Sequence, residues 1–167
     1  DYSKAITMKL KNPNSVLFLA GERKDELGGS VYYDIYGELG KNVPIIGFKE
    51  HRNMCYAVID CIESGLILSC HDISDGGMFV TLAEMILGGN SDGEIGVAVD
   101  FDYKDLRNDK ILFSESPGFV FEVSGENVEK VQEIFKKYEL AAHTLGKTTN
   151  KDSLRIINSD KKIIDLK

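Results

Sequence analysis

The residues best equipped for chemistry lie in one stretch, Ser69-Cys70-His71-Asp72-Ile73-Ser74-Asp75-Gly76-Gly77. It brings two carboxylates, hydroxyls, an imidazole and a glycine pair within a few positions of one another. Gly76 and Gly77 permit a sharp turn and a close backbone approach to a ligand, which a Cβ would obstruct. The free N–H groups of a helix beginning there attract anions, phosphates in particular. Asp72 and Asp75 would repel a bare phosphate, so a phosphate ligand implies a bridging cation. Mg²⁺ suits that place, because it is held by one or two carboxylates plus phosphate oxygens. The same residues also describe a capped helix start that binds nothing, with Ser74 or Asp75 as the N-cap. His71 reads either as a general base or as a hydrogen-bonding structural residue.

Positioning this loop requires a strand before it and a helix after it. Gly65 to Cys70 is a short apolar run of buried-strand type. Met78 to Leu87 is helical, with Phe79, Leu82, Ala83, Ile86 and Leu87 spaced as one apolar stripe. The loop then sits at the carboxyl end of a strand, where open α/β sheets place ligands.

Two further polar knots accompany it. Gly28-Gly29-Ser30 precedes a short helix and is either a close-approach loop for a ligand or a glycine turn with Ser30 as cap. Phe113-Ser114-Glu115-Ser116-Pro117-Gly118 leads into the strand Phe119 to Val123; Glu115 is a ligand-facing carboxylate or a capping group. Tyr32, Tyr33 and Tyr36 lack basic neighbours and read as packing residues rather than a base-stacking platform.

The 167 residues suffice for one domain with a sizeable core. A net charge of −7 without any basic run argues against nucleic acid as a partner. No apolar run approaches the roughly 20 residues that span a bilayer, and no signal peptide is evident. Cys55, Cys61 and Cys70 form no CxxC pair and read as buried small hydrophobes, which suits a cytoplasmic protein.

The remaining segments predict strands over Ala5 to Leu10, Val16 to Ala20 and Ile95 to Val99, with three extended segments near Ala141–Lys147, Ser153–Ile157 and Lys162–Asp165. Asn158-Ser159-Asp160 is the turn of a final hairpin. Helices are predicted from about Glu50 to Ser64, with Cys55, Val58, Ile59 and Ile62 inward, and from about Asn127 to Tyr138. Gly88 to Gly93 reads as a turn. The expected fold class is α/β of the α+β type, a mixed β-sheet with about four helices packed on it, in a single domain over residues 1–167.

His71-Asp72-Ile73-Ser74-Asp75-Gly76-Gly77 with Leu82-Ala83-Glu84-Met85, Glu26-Leu27-Gly28-Gly29-Ser30 with Tyr32 or Tyr33, and Phe113 to Gly118 together resemble a known family. The chain is similar to the C-terminal domains of the AIR-synthase-related ATP-binding superfamily, and within it to the large (synthetase) subunits of phosphoribosylformylglycinamidine synthases. Order and spacing match over nearly the whole chain. The resemblance implies one domain of a four-domain chain, an expectation that the start at Asp1 rather than Met also suggests. It implies an ATP-dependent purine-biosynthesis ligase converting formylglycinamide ribonucleotide, with glutamine-derived ammonia, to formylglycinamidine ribonucleotide. Implied partners are the remaining domains, a glutaminase subunit and a small accessory subunit.

By the same resemblance, Asp72 binds Mg²⁺ and Ser74 contacts ATP or ADP in an auxiliary site, with Asp75, Gly76 and Gly77 beside it. His71, Glu115, Gly28, Gly29 and Ser30 are further candidates; no catalytic residue is assigned. The N-terminal nucleotide segments of the family are missing from this sequence, so the chain alone is expected to lack synthetase activity. The alternatives are a scaffold domain with a decayed nucleotide site, a C-terminal domain of another enzyme of the superfamily, and a free-standing Mg²⁺–nucleotide sensing module.

Overall fold

Val16–Ala20 (β1) is apolar at every position because both faces of the sheet are covered there. Leu17 and Leu19 enter one core, while Val16, Phe18 and Ala20 enter the other. The computed structural model describes residues 2–88, 95–103 and 105–166.

The other strands are β2 (Ile67–Asp72), β3 (Gly96–Phe101), β4 (Phe119–Val123), β5 (Ala142–Thr149), β6 (Leu154–Asn158) and β7 (Lys161–Leu166). They form one seven-stranded sheet in the order β2-β4-β1-β5-β3-β6-β7. The sheet is mixed, as expected: β3 and β6 run parallel, and the other described pairings are antiparallel.

Among the described residues there are five α-helices, against about four expected: α1 (Val31–Ile35), α2 (Phe48–Glu63), α3 (Gly77–Leu87), α4 (Asn108–Phe113) and α5 (Val128–Lys137). Helices α3 and α4 cover the Leu17/Leu19 face through Met78, Leu82, Met85, Ile111 and Leu112. Helices α2 and α5 cover the opposite face through Met54, Ala57, Val58, Cys61, Val131 and Phe135. The rings of Phe18, Phe121 and Phe135 stack across that second core.

Several expectations need correction. Ala5 to Leu10 is not a strand: it passes the β2 edge, where Cys70 N–H donates to the Thr7 carbonyl, but forms no ladder. In α2 the buried stripe is Met54, Ala57, Val58 and Cys61, whereas Ile59 is exposed. The helix carries two overlapping apolar stripes, and the sheet takes the one whose small Ala57 and Cys61 allow close approach. In α3 the innermost residues are Met78, Thr81, Leu82 and Met85, and Leu87 points outward. The turn assigned to residues 88–93 lies, beyond Gly88, outside the described residues.

Local backbone signals set two reversals of the chain. Gly65, at φ +67°, ends α2 in a Schellman arrangement: Leu66 N–H donates to the Cys61 carbonyl and Gly65 N–H to that of Ile62. Ser159 and Asp160, both at positive φ, make the tight β6–β7 turn.

Candidate functional site

Topology brings the three polar knots together. β1 and β2 both run antiparallel to β4, with Ala20 and Asp72 each opposite Phe119. The segments leaving β1 and β2 and the one entering β4 therefore meet at a single end of the sheet. These are residues 21–30, 73–77 and 114–118.

Glu115 joins them. Its Oε1 accepts the Val31 N–H at 2.9 Å and the Gly76 N–H at 2.9 Å. One carboxylate oxygen thus receives a donor from the start of α1 and another from the start of α3. A negative charge there complements the positive end of the α3 dipole. The expected cap by Ser74 or Asp75 is corrected: the N-cap of α3 is Gly76, in the left-handed region at φ 78°, without a side-chain cap. The Ser74 carbonyl accepts the Gly77 N–H instead. Two successive left-handed glycines shift the helix start beyond reach of the local side chains, and Glu115 supplies the anion from 39 positions away.

Gly77 and Gly28 are required sterically. A Cβ on Gly77 would lie 2.7 Å from the Leu112 carbonyl oxygen, and one on Gly28 would lie 2.7 Å from that of Asn42. Ser30 caps α1 as anticipated, its Oγ accepting the Tyr33 N–H while donating to the Leu27 carbonyl. Tyr32 is a packing residue: its ring stacks on Phe113 at 4.5 Å, and Phe113 in turn meets Phe79 of α3.

His71 and Asp72 close β2. The His71 Nδ1 lies 3.2 Å from Asp72 Oδ1, and its Nε2 lies 2.8 Å from Glu84 Oε2. Both ring nitrogens are engaged, so the imidazole is oriented between a strand end and the α3 surface. The Asp72 carboxylate is largely solvent-facing, as are Ser74 and Asp75. Thr81 anchors the same corner by donating to the Asp72 and Gly77 carbonyls.

Among the described residues no group of three or more His, Cys, Asp or Glu side chains converges on a metal position. The exposed Asp72 carboxylate is an oxygen donor of the kind Mg²⁺ takes when its other positions are filled by water or ligand oxygens.

Arg23 was not singled out in the sequence, and Glu26 and Ser116 entered only as members of the motifs that carry the resemblance, without roles of their own. Ser116 Oγ donates to Glu26 Oε2 at 2.5 Å, and Arg23 Nη2 donates to the Ser116 carbonyl at 2.8 Å. Arg23 and Glu26 are both buried, at 4% and 8% exposure. Neither role was legible in the sequence, where Arg23 lay in a charged loop and Glu26 opened the glycine-pair motif, because burial of a charge depends on what packs over it. Burial pushes the Arg23 guanidinium down to about 10.

Comparisons with known proteins agree with this architecture. The family model "AIR synthase related protein, C-terminal domain" matches residues 12–158. The phosphoribosylformylglycinamidine synthase subunit PurL of Methanothrix thermoacetophila is 44% identical over 154 residues, covering 91% of this chain and 20% of that protein. The chain thus spans about a fifth of the length of the curated relatives it matches first. T. maritima PurL complexed with FGAR superposes with a TM-score of 0.84 at 17% identity, over 98% of this chain and 29% of the other. T. maritima PurL complexed with ATP gives 0.75 at 18%, over 98% and 26%. With a family model matched across residues 12–158 and the same fold in these structures, this chain belongs to the AIR synthase related protein, C-terminal domain family.

Proposed function

We propose that this chain works as a domain of an ATP-dependent purine-biosynthesis ligase, the large subunit of phosphoribosylformylglycinamidine synthase. In that enzyme formylglycinamide ribonucleotide, ATP and glutamine-derived ammonia give formylglycinamidine ribonucleotide. The domain contributes the 71–77 loop to a Mg²⁺–nucleotide site, with a glutaminase subunit and a small accessory subunit as partners of the whole, in the cytoplasm. The observation carrying this reading is the convergence of two glycine loops and the Glu115 segment at one end of the sheet. The relatives' printed names, and the PurL structures with ATP and FGAR, support it. Asp72 would hold Mg²⁺, and Ser74 with the Asp75-Gly76-Gly77 turn would face the phosphates. The ion would neutralise phosphate charge beside Asp72 and Asp75.

A second reading, a scaffold domain whose nucleotide site has decayed, has its own support. Glu115 already occupies the Gly76 amide. In addition Ile35, Leu39, Ile45 and Phe48 are 73–85% exposed, an apolar run suited to covering by a neighbouring domain.

Calorimetric titration of Mg-ADP and Mg-ATP into this chain and into the complete subunit, each with its Asp72→Ala variant, separates the two. A site-bearing domain loses affinity on Asp72→Ala by no less than the roughly 10–100-fold that removing an outer-shell metal partner produces. Nucleotide binding to the complete subunit that ignores Asp72 refutes the site and leaves the scaffold.

A further inference from the structure

We infer that Arg23 is a positioning residue of this site. Its buried guanidinium, working with Glu26, fixes residues 114–117 so that the Glu115 carboxylate stands between the Val31 and Gly76 amides. The consequence for ligand binding rests on the nucleotide reading above; the coupling between Arg23 and Glu115 does not.

Burying a guanidinium is unfavourable unless its donors are matched. Arg23 directs both of its Nη groups at backbone of one short segment, while its Nε is buried without a hydrogen-bond partner. Nη2 donates to the Ser116 carbonyl at 2.8 Å and to that of Pro117 at 3.4 Å, and Nη1 donates to that of Ser114 at 3.3 Å. An apolar side chain could fill the same space, and a lysine could supply the charge. Only a planar array of donors reaches carbonyls on both sides of Glu115 together. Gly118 leaves room for this, since a Cβ there would sit 3.0 Å from Arg23 Nη2.

Glu26, three positions along the same loop, takes the Ser116 hydroxyl. Ser116 is therefore held by its carbonyl from one side and by its hydroxyl from the other. With Ser114 and Ser116 both anchored, Glu115 has a defined origin, and its carboxylate reaches the starts of α1 and α3. The circuit is closed: the 21–30 segment grips 114–117, and Glu115 grips both glycine loops in return.

The test follows backbone amides of the ¹⁵N-labelled chain. Glu115→Gln defines the signature: the Gly76 and Val31 amides shift and exchange about tenfold faster, the value of one charge-assisted hydrogen bond. Arg23→Lys keeps the charge but loses the fork. It is expected to move the same two amides in the same direction, with exchange about tenfold faster relative to β1 amides, which report global opening. Adding Glu115→Gln to Arg23→Lys then changes little more, because the two residues act through the same pair of amide contacts.

Uniform loss of protection in β1 and at Gly76 and Val31 overturns the inference, as does loss confined to β1; either makes Arg23 a general core residue. Failure of both Arg23→Lys and Arg23→Met to fold counts against it for the same reason. Mg-ADP titration of the Arg23→Lys chain completes the set. Weaker binding joins the coupling to the site, whereas no binding by any form removes the nucleotide reading and leaves the amide result standing.

Discussion

Replacing Gly77 by alanine tests whether the site loop depends on a close backbone approach or only on a left-handed turn. Gly77 has φ +68°, and a Cβ there would lie 2.7 Å from the Leu112 carbonyl oxygen and 2.8 Å from Phe113 backbone carbons. Gly65 has nearly the same φ, +67°, with nothing within 4 Å of its would-be Cβ. Gly65→Ala therefore isolates the left-handed backbone term, roughly 1–2 kcal/mol. Gly77→Ala adds a clash with backbone, which cannot rotate away as a side chain would. Relief requires α3 and the end of α4 to separate, an overpacking cost of roughly 1–3 kcal/mol. The sum is roughly 2–5 kcal/mol. In urea, with a slope of about 2 kcal/mol/M, that lowers the midpoint by about 1–2.5 M. Matched urea melts of the two variants, followed by circular dichroism, give the comparison directly. Equal losses for Gly77→Ala and Gly65→Ala would refute the close-approach argument.

Glu122 offers a second test. It is a fully buried carboxylate that accepts the Lys11 and Asn12 N–H groups and the Ser69 hydroxyl. Glu122→Ala strands all three donors and should cost roughly 3–5 kcal/mol, whereas Ser69→Ala removes one and should cost about 1 kcal/mol; similar urea midpoints for the two would contradict this. The thiols give the pH dependence. Burial pushes Cys61 and Cys70 up to about 12 from 9.0, so the folded chain keeps protons that the unfolded chain releases. This contribution is intact below pH 9 and is lost as pH rises from 9 to 12. Alkaline melts of a Cys61→Ala/Cys70→Ala double variant should fall less steeply across that window, and an unchanged slope would show that the thiols play no part.

The sequence by itself determined most of the elements, the Ala5 to Leu10 segment excepted, and the residue types that the loops carry. Val16 to Ala20 reads as a strand from its unbroken apolar run, and Phe119 to Val123 reads as a strand although Glu122 lies within it, fully buried. Ser30 acts as the cap its position foretold, because an N-cap needs nothing beyond its own next turn. Where two apolar stripes overlap, as at Val58 and Ile59 in α2, periodicity cannot choose, since the sheet surface selects the stripe. What only the tertiary structure decided is how the loops meet. Helix α3 starts with two left-handed glycines, and its anion comes from Glu115, 39 positions away. Arg23 and Glu26 became organising residues only when the β1–β4–β2 pairing brought residues 114–118 over them. A side chain's reach is local, but burial and hydrogen-bond partners are properties of whatever the sheet order stacks against it.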